Sequence, residues 1–299
     1  MDYITKNSVM TIETQRKMIF SLKKAYPCLG VHLIGKTLCQ RGIYSLHIGK
    51  SENPLLIAAG FHGQEWMTSL LALRFAELIL RAKACRSTVC GIDVACISRE
   101  IIVVPCVNPD GVQIAINGVD GAWKYAENVR KIAASSSEKW NANARGVDIN
   151  HNFDAGWTEL RNMEIEEGIV GPSPRRYGGY MPESEPETLA LVNLTKARKP
   201  RSVIALHSQG EEIFWEYGEK NPPESERLAR IFSASSGYTL IKNSGLASHG
   251  GYKDWFIEKF NRPGFTVEIG KGENPLPLHD FDGILKDTVP MLTLAAILQ

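Results

Sequence analysis

Four short runs of almost unbroken apolar residues constrain this chain most. They fall at 55–59 (LLIAA), 101–107 (IIVVPCV), 202–206 (SVIAL) and 264–269 (GFTVEI). Runs of this length with no polar alternation suit strands buried on both faces, the signature of a largely parallel sheet covered by helices on each side. Helical patterns separate them. Residues 11–25 read as an amphipathic helix capped by Thr11, and a mainly apolar helix is expected from Gln64 to about Arg81. Further helices are expected at 185–197, 223–235 with Pro223 in first position, 250–260 and 282–298. Pro290 is expected to kink or split the last of these. The stretches at 135–144 and 154–187 read as loops, the second rich in Gly, Pro and charge. The sequence therefore implies an α/β fold formed as one domain over residues 1–299.

Composition narrows the function classes. The 299 residues carry 34 basic and 33 acidic side chains, so no net field draws the chain to nucleic acid or an anionic membrane. No apolar run reaches the ~18 residues a membrane span needs. The leading residues, MDYITKNSVMTIETQRK, hold no apolar signal stretch, and only about 50 residues precede the motifs described below, so a cytoplasmic setting is expected. The six cysteines form no C-x-x-C pair, which argues against a zinc ribbon or a thioredoxin-like site and for reduced thiols. There is no G-x-S-x-G elbow and no phosphate-binding glycine loop.

In open α/β sheets ligands collect beyond the carboxyl ends of the strands. The polar residues found there are His62 and Glu65 after the first run, His207 after the third and Glu268 in the fourth. Two imidazoles and two carboxylates from three strand ends suit a catalytic divalent metal. Alone, an H-x-x-E match is weak, and an isolated His207 would read as a satisfied core histidine. The glycines of GFHGQE strengthen the case, because they let the chain bend where strand becomes helix.

Five segments in order, GFHGQEW (60–66), RGVDINHNFDAGW (145–157), LHSQGEE (206–212), GGYKDW (250–255) and FTVEIG (265–270), resemble the zinc carboxypeptidase family. The match runs from about residue 50 to 275. The resemblance implies a mixed, mostly parallel sheet of about eight strands flanked by helices on both faces. It implies one Zn²⁺ per chain held by His62, Glu65 and His207 with a water completing the coordination, and Glu268 as general base. It further implies Arg145 as the cation that stabilises the tetrahedral oxyanion, Asp148 as the carboxylate that orients His62, and Asn150 as a substrate-binding amide. Turn capping is the structural alternative for Asp148 and Asn150.

Departures from that pattern bear on specificity. Ordinary exopeptidases of the family have Asn-Arg where this chain has Asn150-His151, and an imidazole cannot grip a terminal carboxylate bidentately. Leu246 stands where the family's customary tyrosine is expected, and Tyr252 is a candidate replacement phenol. Lys253, at the position that sets side-chain preference, argues for a carboxylate on the substrate; the alternative is a solvated helix charge. Arg175 and Arg176 are further candidates for substrate carboxylates. His32, His47, His249 and His279 lack motif context and read as structural or exposed. Together the departures resemble the bacterial γ-D-glutamyl-diamino-acid peptidases, which cleave between γ-D-glutamate and meso-diaminopimelate or lysine in cell-wall peptides. The implied substrate is a small peptide or muropeptide. A general metallocarboxypeptidase and a non-catalytic wall-peptide-binding module are the competing readings.

Overall fold

The computed structural model describes residues 2–6, 9–134, 136, 139–219, 221–242 and 249–298. The chain opens with α1 (Ile12–Ala25), where the Thr11 hydroxyl accepts from the Thr14 N–H at 3.2 Å, the expected cap. Then follow β1 (Gly30–Lys36), β2 (Gly42–Ile48), β3 (Leu55–Ala58), α2 (Trp66–Cys85), the short β4 (Thr88–Val89) and β5 (Ile92–Asp93), and β6 (Ile101–Val104). The middle of the chain holds α3 (Pro109–Asn117), α4 (Ala126–Ala134), α5 (Trp157–Glu166) and α6 (Pro186–Arg198). The last part is β7 (Ser202–His207), β8 (Glu212–Phe214), α7 (Ser225–Ser236), β9 (Thr239–Ile241), α8 (Tyr252–Phe260), β10 (Gly264–Glu268) and α9 (Phe281–Leu298).

Eight of these strands form one sheet in the order β1-β2-β6-β3-β7-β10-β8-β9, while β4 and β5 make a separate two-stranded ribbon. The four central strands β6, β3, β7 and β10 run parallel, and antiparallel pairs lie toward both edges. The four apolar runs are those four central strands. Their alternate residues explain why no polar position interrupts them. Leu55, Ile57, Ile101, Val103, Ile204 and Leu206 point into one core with α1, α2, α7 and α9. Leu56, Ala58, Ile102, Val104, Val203 and Ala205 point into the other, with α6 and α8. Both faces are covered, so both residue parities must be apolar.

The structure corrects three local expectations. The stretch 154–187 is not all loop: α5 occupies Trp157–Glu166, started by Gly156 in the left-handed region at φ 55°. Its only buried residues are Leu160 and Glu164, so it carries almost no apolar periodicity and the flanking glycines and prolines dominate the pattern. Pro223 is not in the first helical position, because a turn from Ser225 N–H to Pro222 C=O precedes α7. Pro290 does not split α9, which continues through it with Val289, Met291 and Leu292 all buried in the same core. No described helix is long and apolar enough to cross a membrane.

Candidate metal centre and active-site cleft

The site forms where β3, β7 and β10 end. Beyond β3 the backbone turns at Gly60 (φ 63°), where a Cβ would sit 2.7 Å from Ser69 Oγ and 3.0 Å from the Cys106 Cα. Only glycine fits that turn. Asn108 then donates to the Phe61 carbonyl at 3.0 Å, and the Glu65 N–H closes a 3₁₀ turn on the His62 carbonyl at 3.1 Å. That turn brings His62 Nδ1 to 2.7 Å from Glu65 Oε1. His207, the last residue of β7, places its Nδ1 3.1 Å from Glu65 Oε2 and 3.3 Å from His62 Nδ1.

One ligand atom from each of these three residues lies within 4.8 Å of the others. The opposite nitrogen of His62, Nε2, lies 3.0 Å from Asp148 Oδ1. A carboxylate only accepts, so Nε2 carries a proton, and Nδ1, which donates to Glu65 when no cation is bound, is the nitrogen whose lone pair would turn to a cation shared with His207 and Glu65. Two imidazole nitrogens and a carboxylate converging on one point are a donor set that a divalent cation satisfies. Three protein ligands of this type, with room for a further one, fit catalytic zinc. The Nε2 of His207 is buried without a hydrogen-bond partner among the described residues, so the ring's polar contacts are all on the side of this point.

Electrostatics follow from the same packing. Burial opposes charge on His62, but the carboxylates of Glu65 and Asp148 outweigh it and hold its pKa well above the usual value. Burial pushes Glu65 upward, yet His62 and His207 bring it down to about 2. Asp148 behaves alike: burial raises it, and His62, His151 and the Arg176 N–H pull it far below the carboxylate range. Burial lowers His207. Glu268 is the exception among the carboxylates. Burial and then the neighbouring Glu65 raise it well above its ordinary value, as expected for a group that takes up a proton.

Glu268 ends β10 directly opposite His207 in the parallel register. With His62, His207, Asn150, His151 and Lys253 it lines a cleft of about 170 Å³. Asn150 Oδ1 accepts from the Tyr252 N–H at 3.1 Å. Asp148 both caps its turn, accepting from the Asn150 N–H at 3.1 Å, and faces His62. Lys253 is buried, with its ammonium donating to the Glu216 carbonyl at 2.7 Å and to Asp254, so it is not a solvated helix charge.

Arg145 stands apart from the cleft-lining residues, with NH1 3.2 Å from the fully buried Glu185. Arg176 uses its backbone N–H on Asp148 Oδ2 at 2.9 Å and its side chain on Glu167, and Arg175 also lies outside the cleft lining. Tyr252 requires a correction. Its hydroxyl is buried 2.8 Å from Thr195 Oγ1 and its ring packs near Phe61, Phe153 and Trp255, so this phenol serves the core and not a substrate. Leu246 lies outside the described residues.

Several cleft residues, Phe214 and Thr266 among them, escape the sequence reading. Asp254 and His249 both line the cleft, the latter with Nδ1 3.5 Å from the Tyr217 hydroxyl. Nothing in the pattern around His249 marks it, since the contact joins residues 32 positions apart. Asp254 is part of GGYKDW, and that motif was its only signal.

Comparison with known proteins agrees with this geometry. The zinc carboxypeptidase family matches residues 16–290. The Lysinibacillus sphaericus protein named gamma-D-glutamyl-L-diamino acid endopeptidase 1 is 37% identical over 275 residues, covering 91% of this chain and 68% of its own. Human carboxypeptidase B is 25% identical over 79% of this chain and 57% of its own. Among solved structures, bovine thrombin-activatable fibrinolysis inhibitor in complex with tick carboxypeptidase inhibitor matches with a TM-score of 0.75 at 19% identity, covering 97% of each chain. Murein-tripeptide amidase MpaA from Escherichia coli O157 matches with 0.54 at 22% identity over 90% of each. These two likenesses establish the fold. The site is that of a metal-dependent hydrolase built on an α/β sheet. The chain belongs to the zinc carboxypeptidase family and is a zinc metallopeptidase, with His62, Glu65 and His207 as its candidate metal site.

Proposed function

We propose that this peptidase hydrolyses the bond between γ-D-glutamate and a diamino acid, diaminopimelate or lysine, in peptidoglycan stem peptides. The observation that carries the reading is the union of a three-ligand metal site and Glu268 with 37% identity to a γ-D-glutamyl-L-diamino acid endopeptidase. The chemistry that zinc supplies when bound is polarisation of the scissile carbonyl and acidification of a water. Glu268 accepts the water's proton at its carboxylate and returns it to the leaving amine. Asp148 keeps the His62 ring oriented by accepting from Nε2. Arg145, paired with Glu185, is the cation we assign to charge on the carbonyl oxygen. Asn150 and His151 hold the peptide, and Lys253 faces an anionic group of the substrate.

Residues 1–299 act as one domain in this reading. The six cysteines are all free thiols, which favours a reducing, cytoplasmic setting and small muropeptides as substrate. The test is hydrolysis of L-Ala-γ-D-Glu-diaminopimelate beside a hippuryl-type dipeptide, followed by mass detection, with metal analysis of the same sample. Cleavage of the first with bound zinc is expected. Cleavage of the second alone would make the protein a general carboxypeptidase, and absence of zinc with no turnover would make it a binding module. Glu268→Gln is expected to keep zinc and lose at least ~10²-fold in rate.

A further inference from the structure

His151 stands where exopeptidases of this family carry an arginine, and its ring is held from behind in an unusual way. Its Nδ1 lies 2.8 Å from Glu164 Oε1 and 2.7 Å from the Arg176 carbonyl oxygen. Neither of those atoms can donate, the first being a carboxylate oxygen and the second a carbonyl, so Nδ1 must carry the hydrogen. Glu164 comes from α5, is fully buried, and also accepts from Arg161 and from the Gly178 N–H at 3.1 Å. Three donors from separate elements thus fix this carboxylate. The remaining nitrogen, Nε2, makes no hydrogen bond among the described residues, while the ring lines the cleft beside Asn150.

We propose that Glu164 is a positioning residue that locks His151 in the Nδ1–H tautomer, so that the cleft presents Nε2 as an acceptor for a substrate N–H. Resting on the γ-D-glutamyl reading above, this names what the His151 part of the cleft recognises: an amide or ammonium hydrogen beyond the scissile bond. The fully buried Glu164 does not leave His151 cationic, because Arg161 already neutralises that carboxylate and burial lowers the imidazole's pKa. Asp148 and the Arg176 carbonyl act in the opposite sense, and His62 and the Arg176 side chain act with burial. A neutral acceptor and an arginine make opposite demands. The arginine takes a free terminal carboxylate by two charge-assisted bonds; the imidazole Nε2 repels that carboxylate's lone pairs and welcomes an N–H. Substrates whose chain continues as an amide after the leaving residue are therefore favoured.

The test has two independent arms. In the zinc-loaded wild-type protein, ¹⁵N NMR of the ring nitrogens reads the tautomer without any substrate. Protonated Nδ1 with unprotonated Nε2 near neutral pH is expected; the reverse tautomer, or protonation of both, would overturn the proposal. Glu164→Gln is expected to mix the tautomers, and Glu164→Asp to restore the wild-type signature in part. In the second arm, γ-D-glutamyl-diamino-acid substrates ending in a free acid are compared with the same peptides ending in an amide.

The amide form is expected to be favoured, and Glu164→Gln to raise its KM about tenfold with kcat little changed, the value of one hydrogen bond. His151→Arg is expected to reverse the preference toward the free acid. A wild-type preference for the free acid, with γ-D-glutamyl cleavage intact, would sink this inference alone. Cleavage of hippuryl dipeptides with no γ-D-glutamyl cleavage would sink the function it rests on and the recognition half with it.

Discussion

Buried imidazole–carboxylate groups occur at both ends of this sheet, and only one of them can hold a metal. At the amino ends of the central strands, His47 of β2 places Nδ1 2.9 Å from Glu100 Oε1 and Nε2 2.9 Å from Ser45 Oγ. Glu100 in turn meets Arg198, and His32 packs edge-on at 4.6 Å. Both nitrogens of His47 and both oxygens of Glu100 are matched within the protein. At the carboxyl ends, His62 has one nitrogen matched by Asp148 while its other converges with His207 and Glu65 on a shared point. The difference teaches that residue types do not define a metal centre. What defines it is a set of lone pairs aimed at one another, which is unfavourable until a cation or proton joins them.

That contrast can be broken most sharply by removing one imidazole from each end. His207→Ala is expected to abolish stoichiometric zinc and all turnover. His47→Ala should keep zinc content and activity while lowering stability by about 1–3 kcal/mol, because Glu100 and Ser45 lose a buried partner. Metal analysis, peptide hydrolysis and urea unfolding decide it, and loss of zinc from the His47 variant would erase the distinction. A smaller effect is expected behind His62. Asp148→Asn should weaken zinc binding by about 10–100-fold, measured by competition with a chelator, while leaving the fold intact.

The smallest effect lies in acid, on the metal-free protein. Burial depresses His47 below its ordinary 6.5, even though Glu100 works against it. A group depressed in the folded state contributes stability above its unfolded pKa that is lost as pH falls through its folded one, so His47, together with His151 and His207, which burial also lowers, weakens the fold below about pH 6.5. Glu65 is depressed from 4.5 to about 2, so its contribution is intact above 4.5 and disappears between 4.5 and 2. Two separate declines are expected in stability against pH. The upper decline is shared by His47, His151 and His207 and the lower by Glu65 and Asp148, so His47→Gln should shrink the upper one and Glu65→Gln the lower; declines unaffected by either variant would contradict the assignment.

Much of the frame is legible in the sequence alone. The four apolar runs became the four central strands because a strand covered on both faces leaves no polar position to hide it. The edge strands β1, β2, β8 and β9 were not individually readable, since half-exposed patterns such as that of β1 resemble loops as much as strands. Helix α5 was missed because it buries a carboxylate, Glu164, where periodicity looks for an apolar side chain. In the site, His62 and Glu65 were legible as a local turn, and His207 and Glu268 as strand ends. Tyr252 was misjudged because its neighbours Thr195 and Phe153 are 57 and 99 positions away.

The order of motifs along this chain determined by itself the α/β class, the candidate metal ligands and the proposed general base, because each is tied to a strand end or a three-residue turn, and local geometry carries it. Only the tertiary structure decided which further side chains line the cleft. His151, Lys253 and His249 gain their partners from other segments, and Tyr252 loses its candidacy to one. Hydrogen bonds and burial between segments far apart in sequence leave no local pattern, so the direction in which such a residue points is fixed by packing alone.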